Sequence, residues 1–174
     1  MTTKLNRRDV GYTIISRFEE SFRCFLAQGL EILFDHYREG MPVGVISKAE
    51  ERSSGKEWDS VGELLEDVDF PDLKEIACYK SNYSTYFPRS DISVQDFNSL
   101  MDELYELRCK IAHIRGYFTS LDLDKLSEIS IKIAKHLDES GKEFLAFSKA
   151  LAEEPEKVII PMPIELGSGK FSVV

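Results

Sequence analysis

Arg108 and His113, within Glu106-Leu107-Arg108-Cys109-Lys110-Ile111-Ala112-His113-Ile114-Arg115, are the residues of this chain best suited to chemistry. A neutral imidazole near pH 7 can take or give a proton, and a guanidinium is a planar, permanent cation that grips a phosphate with two parallel hydrogen bonds. The apolar residues Phe97, Leu100, Leu104, Leu107, Ile111 and Ile114 around them recur at helical spacing. At about 100° per residue, Arg108 flanks that apolar stripe by about 70° and His113 lies about 150° from it, so His113 is expected outside the core. The two are separated by about 140°. They converge on one phosphate only if the arginine bends around the helix or a two-fold partner brings a second copy. A lone histidine is more often structural or solvated. Here, however, Met101, Tyr105, Cys109 and Ala112 share its side of the helix, and a face so apolar and rich in small residues is expected to pack against something.

The elements that must position this segment are helical. Apolar residues from Val10 to Phe34 at three-and-four spacing predict a long amphipathic helix over about 7–38, ended at Gly40 ahead of Met41-Pro42. A short helical turn over 43–51 and a polar Ser53-Ser54-Gly55-Lys56 connector follow. Pro in a first turn lacks only an N–H that would be unpaired anyway, so Asp69-Phe70-Pro71-Asp72-Leu73 predicts a helix start, running to about Tyr83. Ser93-Val94-Gln95-Asp96 resembles a capping box opening the helix that carries Arg108 and His113, which Gly116 closes. A last helix is expected from Ser120 or Asp122, continuing through Phe144 and Phe147 to Glu153. With no alternating strand before residue 158, the expected fold is all-α. It is a bundle of four main helices plus short helical turns over residues 1–153, with an extended tail over 154–174.

Arg, four intervening residues and then His, near the C-terminal end of a bundle helix, resembles the signature of the HEPN superfamily, many of whose members are metal-independent endoribonucleases. Lys48-Ala49-Glu50-Glu51-Arg52, Val68-Asp69-Phe70-Pro71-Asp72-Leu73-Lys74-Glu75-Ile76 and Leu107-Arg108-Cys109-Lys110-Ile111-Ala112-His113 extend the likeness over about residues 8–140. They are similar to the branch found at the N-terminus of prokaryotic multidomain defence proteins. The resemblance implies an RNA-cleaving effector without metal or other cofactor, homodimeric across that face, with Arg108 and His113 catalytic. Lys110 and Arg115 would add charge beside the cleft. Active members usually carry Asn, Asp or His after the motif Arg, whereas this chain has Cys109, a thiol that hydrogen-bonds poorly. That departure keeps a second expectation open, a catalytically inactive module that dimerises or docks a partner.

The rest of the sequence bounds these expectations. Its 174 residues, 43% hydrophobic and 30% charged, suit one globular domain. The net charge of −9 argues against indiscriminate binding to nucleic acid or anionic membranes, yet residues 1–40 and 101–120 are charge-balanced. No apolar run has the length of a membrane span, and Met1-Thr2-Thr3-Lys4 leads into an amphipathic segment, so a cytoplasmic location is expected. Three cysteines without C-x-x-C spacing and three scattered histidines give no metal pattern; His36 and His136 are expected at the surface. Trp58 is expected to pack over the bundle or, less often for such a residue, to anchor a partner. Tyr79, Tyr83, Tyr86 and Phe87 beside Lys80 and Arg89 form a basic-aromatic mixture: Lys80, Tyr83 and Arg89 could contact RNA by stacking and charge, though such clusters more often close a core beneath a loop. Finally, Leu166-Gly167-Ser168-Gly169-Lys170-Phe171-Ser172-Val173-Val174 resembles the glycine-rich loop that opens protein kinases, with Ser172 at the third glycine, or else is a Gly/Ser tail. The first alternative implies a downstream domain.

Overall fold

The computed structural model describes residues 5–113 and 116–163, and within them the chain is all-α. Its helices are α1 (Arg7–Leu33), a 3-10 turn (Tyr37–Gly40), α2 (Val43–Ser53), α3 (Val61–Glu66), α4 (Phe70–Ala77), α5 (Asn82–Tyr86), α6 (Val94–Ala112), α7 (Ser120–Ala134), α8 (Asp138–Glu153) and α9 (Pro155–Val158). They fall into two compact units, one of Met1–Ser21 with Asp102–Val174, the other Phe22–Met101. The division passes through α1 and α6, each of which contributes to both. No helix among the described residues is long and apolar enough to cross a membrane.

In the first unit the buried stripe of α1 (Ile14, Ile15, Phe18) is joined by Leu104, Leu107 and Ile111 of α6, by Leu126, Ile129 and Ile133 of α7, and by Phe144 of α8. Phe18 and Phe144 meet edge to face, their centroids 5.9 Å apart. α7 begins in a capping box: the Thr119 hydroxyl accepts from the Asp122 N–H while the Asp122 carboxylate accepts from the Thr119 N–H. The helix expected to run on to Glu153 is instead two. The chain turns at Lys135-His136-Leu137, Asp138 takes a left-handed φ of 50°, and Gly141 lets the α7 end approach closely; a Cβ there would lie 1.9 Å from the Ala134 carbonyl oxygen. After α9, the extended chain is pinned to the first turns of α1. The Ile160 N–H donates to Thr13 Oγ1 at 2.9 Å and the Met162 N–H to Asp9 Oδ1 at 2.9 Å. The glycine-rich segment lies outside the described residues.

In the second unit two expected boundaries shift and one helix is added. α1 stops at Leu33, because His36 Nδ1 accepts the Arg38 N–H and starts the 3-10 turn, and Gly40 is buried against Phe34 and Leu30. α4 stops at Ala77 short of Tyr83: Lys80 takes a φ of 51°, and the buried Asn82 amide donates to the Ile76 and Gly40 carbonyls at 2.8 and 2.9 Å. α3 was not expected, although Ser60-Val61-Gly62-Glu63 carries its signal. Ser60 Oγ accepts from the Glu63 N–H, and the Glu63 carboxylate accepts from the Asp59 N–H. Arg23 ties α1 to this region by donating to the Leu65 and Val68 carbonyls, the latter at 2.6 Å.

Candidate functional site

The last turn of α6 holds the motif residues. His113 is exposed immediately beyond Ala112, as its place on the helical wheel requires. Its N–H still donates to the Cys109 carbonyl at 3.0 Å, while its own carbonyl accepts from the Gly116 N–H at 3.1 Å. Ile114 and Arg115 lie outside the described residues.

Arg8 links the end of α6 to Gly116. Its Nη1 donates to the carbonyls of Lys110 (3.0 Å) and Ile111 (2.7 Å), and its Nη2 to that of Gly116. These include carbonyls that a helix leaves without an intrahelical partner at its C-terminal end, where a cation also meets the negative end of the helix dipole. Arg7 reaches the far side, its Nη1 3.4 Å from the Phe118 carbonyl. Phe118 is buried, its ring against Gly11 of α1, where a Cβ would meet Phe118 Cε1 at 2.8 Å. The sequence reading passed over both arginines. Their only signal was adjacency at the start of an amphipathic helix, which says nothing of a helix end a hundred residues away.

Arg108 is turned toward α1. Its Nε donates to Glu19 Oε1 at 2.5 Å, with the two side chains only 12% and 8% exposed. Glu19, placed by its helical spacing from Ile15 and Phe22 beside the buried stripe, is the carboxylate that the sequence reading missed. Lys110 pairs with Asp122 of α7 at 3.1 Å. The Asp122 carboxyl is held below the ordinary carboxylate range, first by the Thr119 N–H it accepts and further by Lys110.

The expected interface face is partly present. Tyr105 is 38% exposed, and Cys109 and Ala112 are half-buried. Met101 does not belong to it: at 1% exposure it is a core residue of the second unit, because it lies nearer the Phe97 and Leu104 side of α6 than the wheel average suggested.

The basic-aromatic cluster of the second unit is built differently. Tyr83 packs against Phe87 and Phe97 with centroids 5.0 and 5.2 Å away, and its hydroxyl donates to the Ile92 carbonyl at 2.5 Å. Phe87 and Tyr86 are buried and Tyr83 is half-buried, its ring turned to Phe87 and Phe97. Lys80 and Arg89 are exposed, Lys80 resting 5.0 Å over the Tyr79 ring. Nearby Cys78 donates to Asn98, and burial pushes its thiol up to about 11. Trp58 is half-buried and donates to Asp67 at 2.8 Å; it forms one wall of an open cavity of about 450 Å³ with Tyr37, Arg38, Glu50 and Lys56. His36 is exposed and His136 half-buried.

Among known proteins, no family model matches the chain, and no curated protein or solved structure matches it either.

Proposed function

We propose that this chain is a HEPN-type domain acting as a metal-independent endoribonuclease: a cytoplasmic homodimer serving as the effector part of a larger prokaryotic defence or toxin protein. The observation that carries this reading is the exposed imidazole of His113 at the end of α6, whose last carbonyls Arg8 binds. In the proposed reaction His113 takes the proton of a ribose 2′-hydroxyl as that oxygen attacks phosphorus. The 5′-oxygen leaves with a proton from the imidazole of a second copy, giving a 2′,3′-cyclic phosphate and a 5′-hydroxyl end. Arg108, oriented through Nε by Glu19, would stabilise the charge that develops on the phosphoryl oxygens.

The buried pairing of Arg108 with Glu19 also favours a second reading, the inactive dimerisation or docking module. A carboxylate that neutralises the guanidinium weakens its pull on phosphate, and Cys109 stands where active relatives carry a stronger hydrogen-bonding group. Cleavage of a mixed RNA pool in excess EDTA separates the two. The enzyme predicts cutting that leaves cyclic-phosphate ends and falls by about 10²-fold or more in His113→Ala, with the fold and oligomeric state retained. No cutting by the folded wild-type protein overturns the enzyme and leaves the module.

A further inference from the structure

Four positions after His113 the chain presents an aromatic ring to solvent. Tyr117 is 91% exposed, the most exposed large hydrophobic side chain among the described residues. Exposed aromatic rings usually lie on mobile or partly covered segments; this one is held on both sides. On one side the Gly116 N–H donates to the His113 carbonyl, and Arg8 grips the Gly116 carbonyl. On the other, Phe118 is sunk against Gly11 with its carbonyl facing Arg7. Fixing residues 116 and 118 leaves residue 117 little backbone freedom, so its ring costs less entropy to engage than a ring on a free loop. The bond from Gly116 to His113 brings their Cα atoms within about 7 Å, and one further step of about 3.8 Å puts the Tyr117 Cα within about 11 Å of that of His113.

Charge distinguishes the partner. Arg7 and Arg8 donate to backbone carbonyls, which are neutral acceptors and leave both positive charges in place. Of the carboxylates nearby, Asp122 is offset by Lys110, whereas Asp9 accepts from the Met162 N–H and keeps its charge, so the two arginines exceed it by one positive charge. A fixed ring beside an excess of positive charge suits a polyanion whose flat groups are open to stacking, which is single-stranded nucleic acid; in a duplex the bases already stack on one another.

Resting on the RNA reading of this same site, we propose that Tyr117 is a base-stacking platform for single-stranded RNA, holding a nucleotide next to the one whose phosphate lies at His113, with Arg7 and Arg8 facing the backbone. The ring acts through its π face, so it sets affinity and the choice of single strand over duplex without taking part in bond cleavage.

A short fluorescent oligoribonucleotide with 2′-O-methyl groups tests this on the intact chain, since the blocked oxygen cannot attack. Tyr117→Ala is expected to weaken binding by about 5- to 150-fold, the range that one lost stacked base gives. Tyr117→Phe and Tyr117→Trp should bind within about twofold of wild type, and a duplex of the same sequence more weakly than the single strand. Because a ring releases no counterions, Tyr117→Ala should leave the slope of log affinity against log salt unchanged, whereas Arg7→Gln should lower it by about 0.7. Equal affinity of wild type and Tyr117→Ala overturns the platform alone and leaves the RNA site standing. Loss of the dimer in Tyr117→Ala, seen by sedimentation, overturns it in favour of a protein contact. Failure of the wild-type protein both to bind this probe and to cut unmodified RNA overturns the RNA reading and the platform with it.

Discussion

Two regions of this molecule combine aromatic rings with basic side chains, and they use them in opposite ways. Around α5 and the start of α6, Tyr83, Phe87 and Phe97 turn their rings onto one another, with Phe22 and Phe25 of α1 behind them. Lys80 and Arg89 merely border that cluster. Between α6 and α7 the order is reversed: the cations are built into the backbone framework through Arg7 and Arg8, and the ring of Tyr117 is left to solvent. Residue types alone do not separate an aromatic cluster that closes a core from one that could meet a ligand. What separates them is whether the rings or the cations are consumed by the fold.

The largest effect expected from this contrast lies in the first region. Phe97→Ala should lower the unfolding free energy by about 3–5 kcal/mol in urea titrations, since a fully buried ring is lost and a cavity left behind. A cost under about 1 kcal/mol would mean that these rings are not the core of their unit. Glu19→Ala should cost about 3 kcal/mol, because it removes the carboxylate of a largely buried ion pair. If it costs nothing, Arg108 relaxes readily to solvent and is more available to phosphate than its pairing implies. Tyr83→Phe removes the hydroxyl that donates to the Ile92 carbonyl and lies 3.5 Å from Ser90 Oγ, and should cost about 1 kcal/mol by the same titration.

Smaller effects test the framework of the second region. Since the Asp122 carboxyl is depressed in the folded chain, its contribution to stability is fully present above the ordinary carboxylate range, near pH 4. It is lost as pH falls through the depressed value. Thermal midpoints of Asp122→Asn should accordingly fall less steeply than wild type between about pH 5 and pH 2. Tyr117→Ala should leave the unfolding free energy within about 0.5 kcal/mol of wild type. A larger loss would show that this ring packs in solution, and the contrast between the two regions would collapse.

Much of this architecture was legible in the sequence, for reasons that particular residues make plain. The long apolar periodicities of α1, α6 and α7 and the first turn at Pro71 each encode structure within a few residues of themselves. The misplaced boundaries were set from farther away. Asn82 ends α4 by reaching back to Ile76 and to Gly40, and Gly141 breaks the last helix by admitting the Ala134 carbonyl. The site divides in the same manner. The exposure of His113 followed from helix geometry alone, whereas Glu19 and Arg8, 89 and at least 102 positions from the groups they bind, carried no local mark of their partners. Met101 failed as an interface residue because a wheel fixes angles about one axis and not which neighbours fill them.

The most direct test of the central claim is nuclear magnetic resonance mapping of a short 2′-O-methyl single-stranded oligonucleotide on the isotope-labelled chain. The account predicts that amide shifts change at residues 7–8 and 110–121. Changes confined to residues 80–89, or no changes at saturating oligonucleotide, would contradict it.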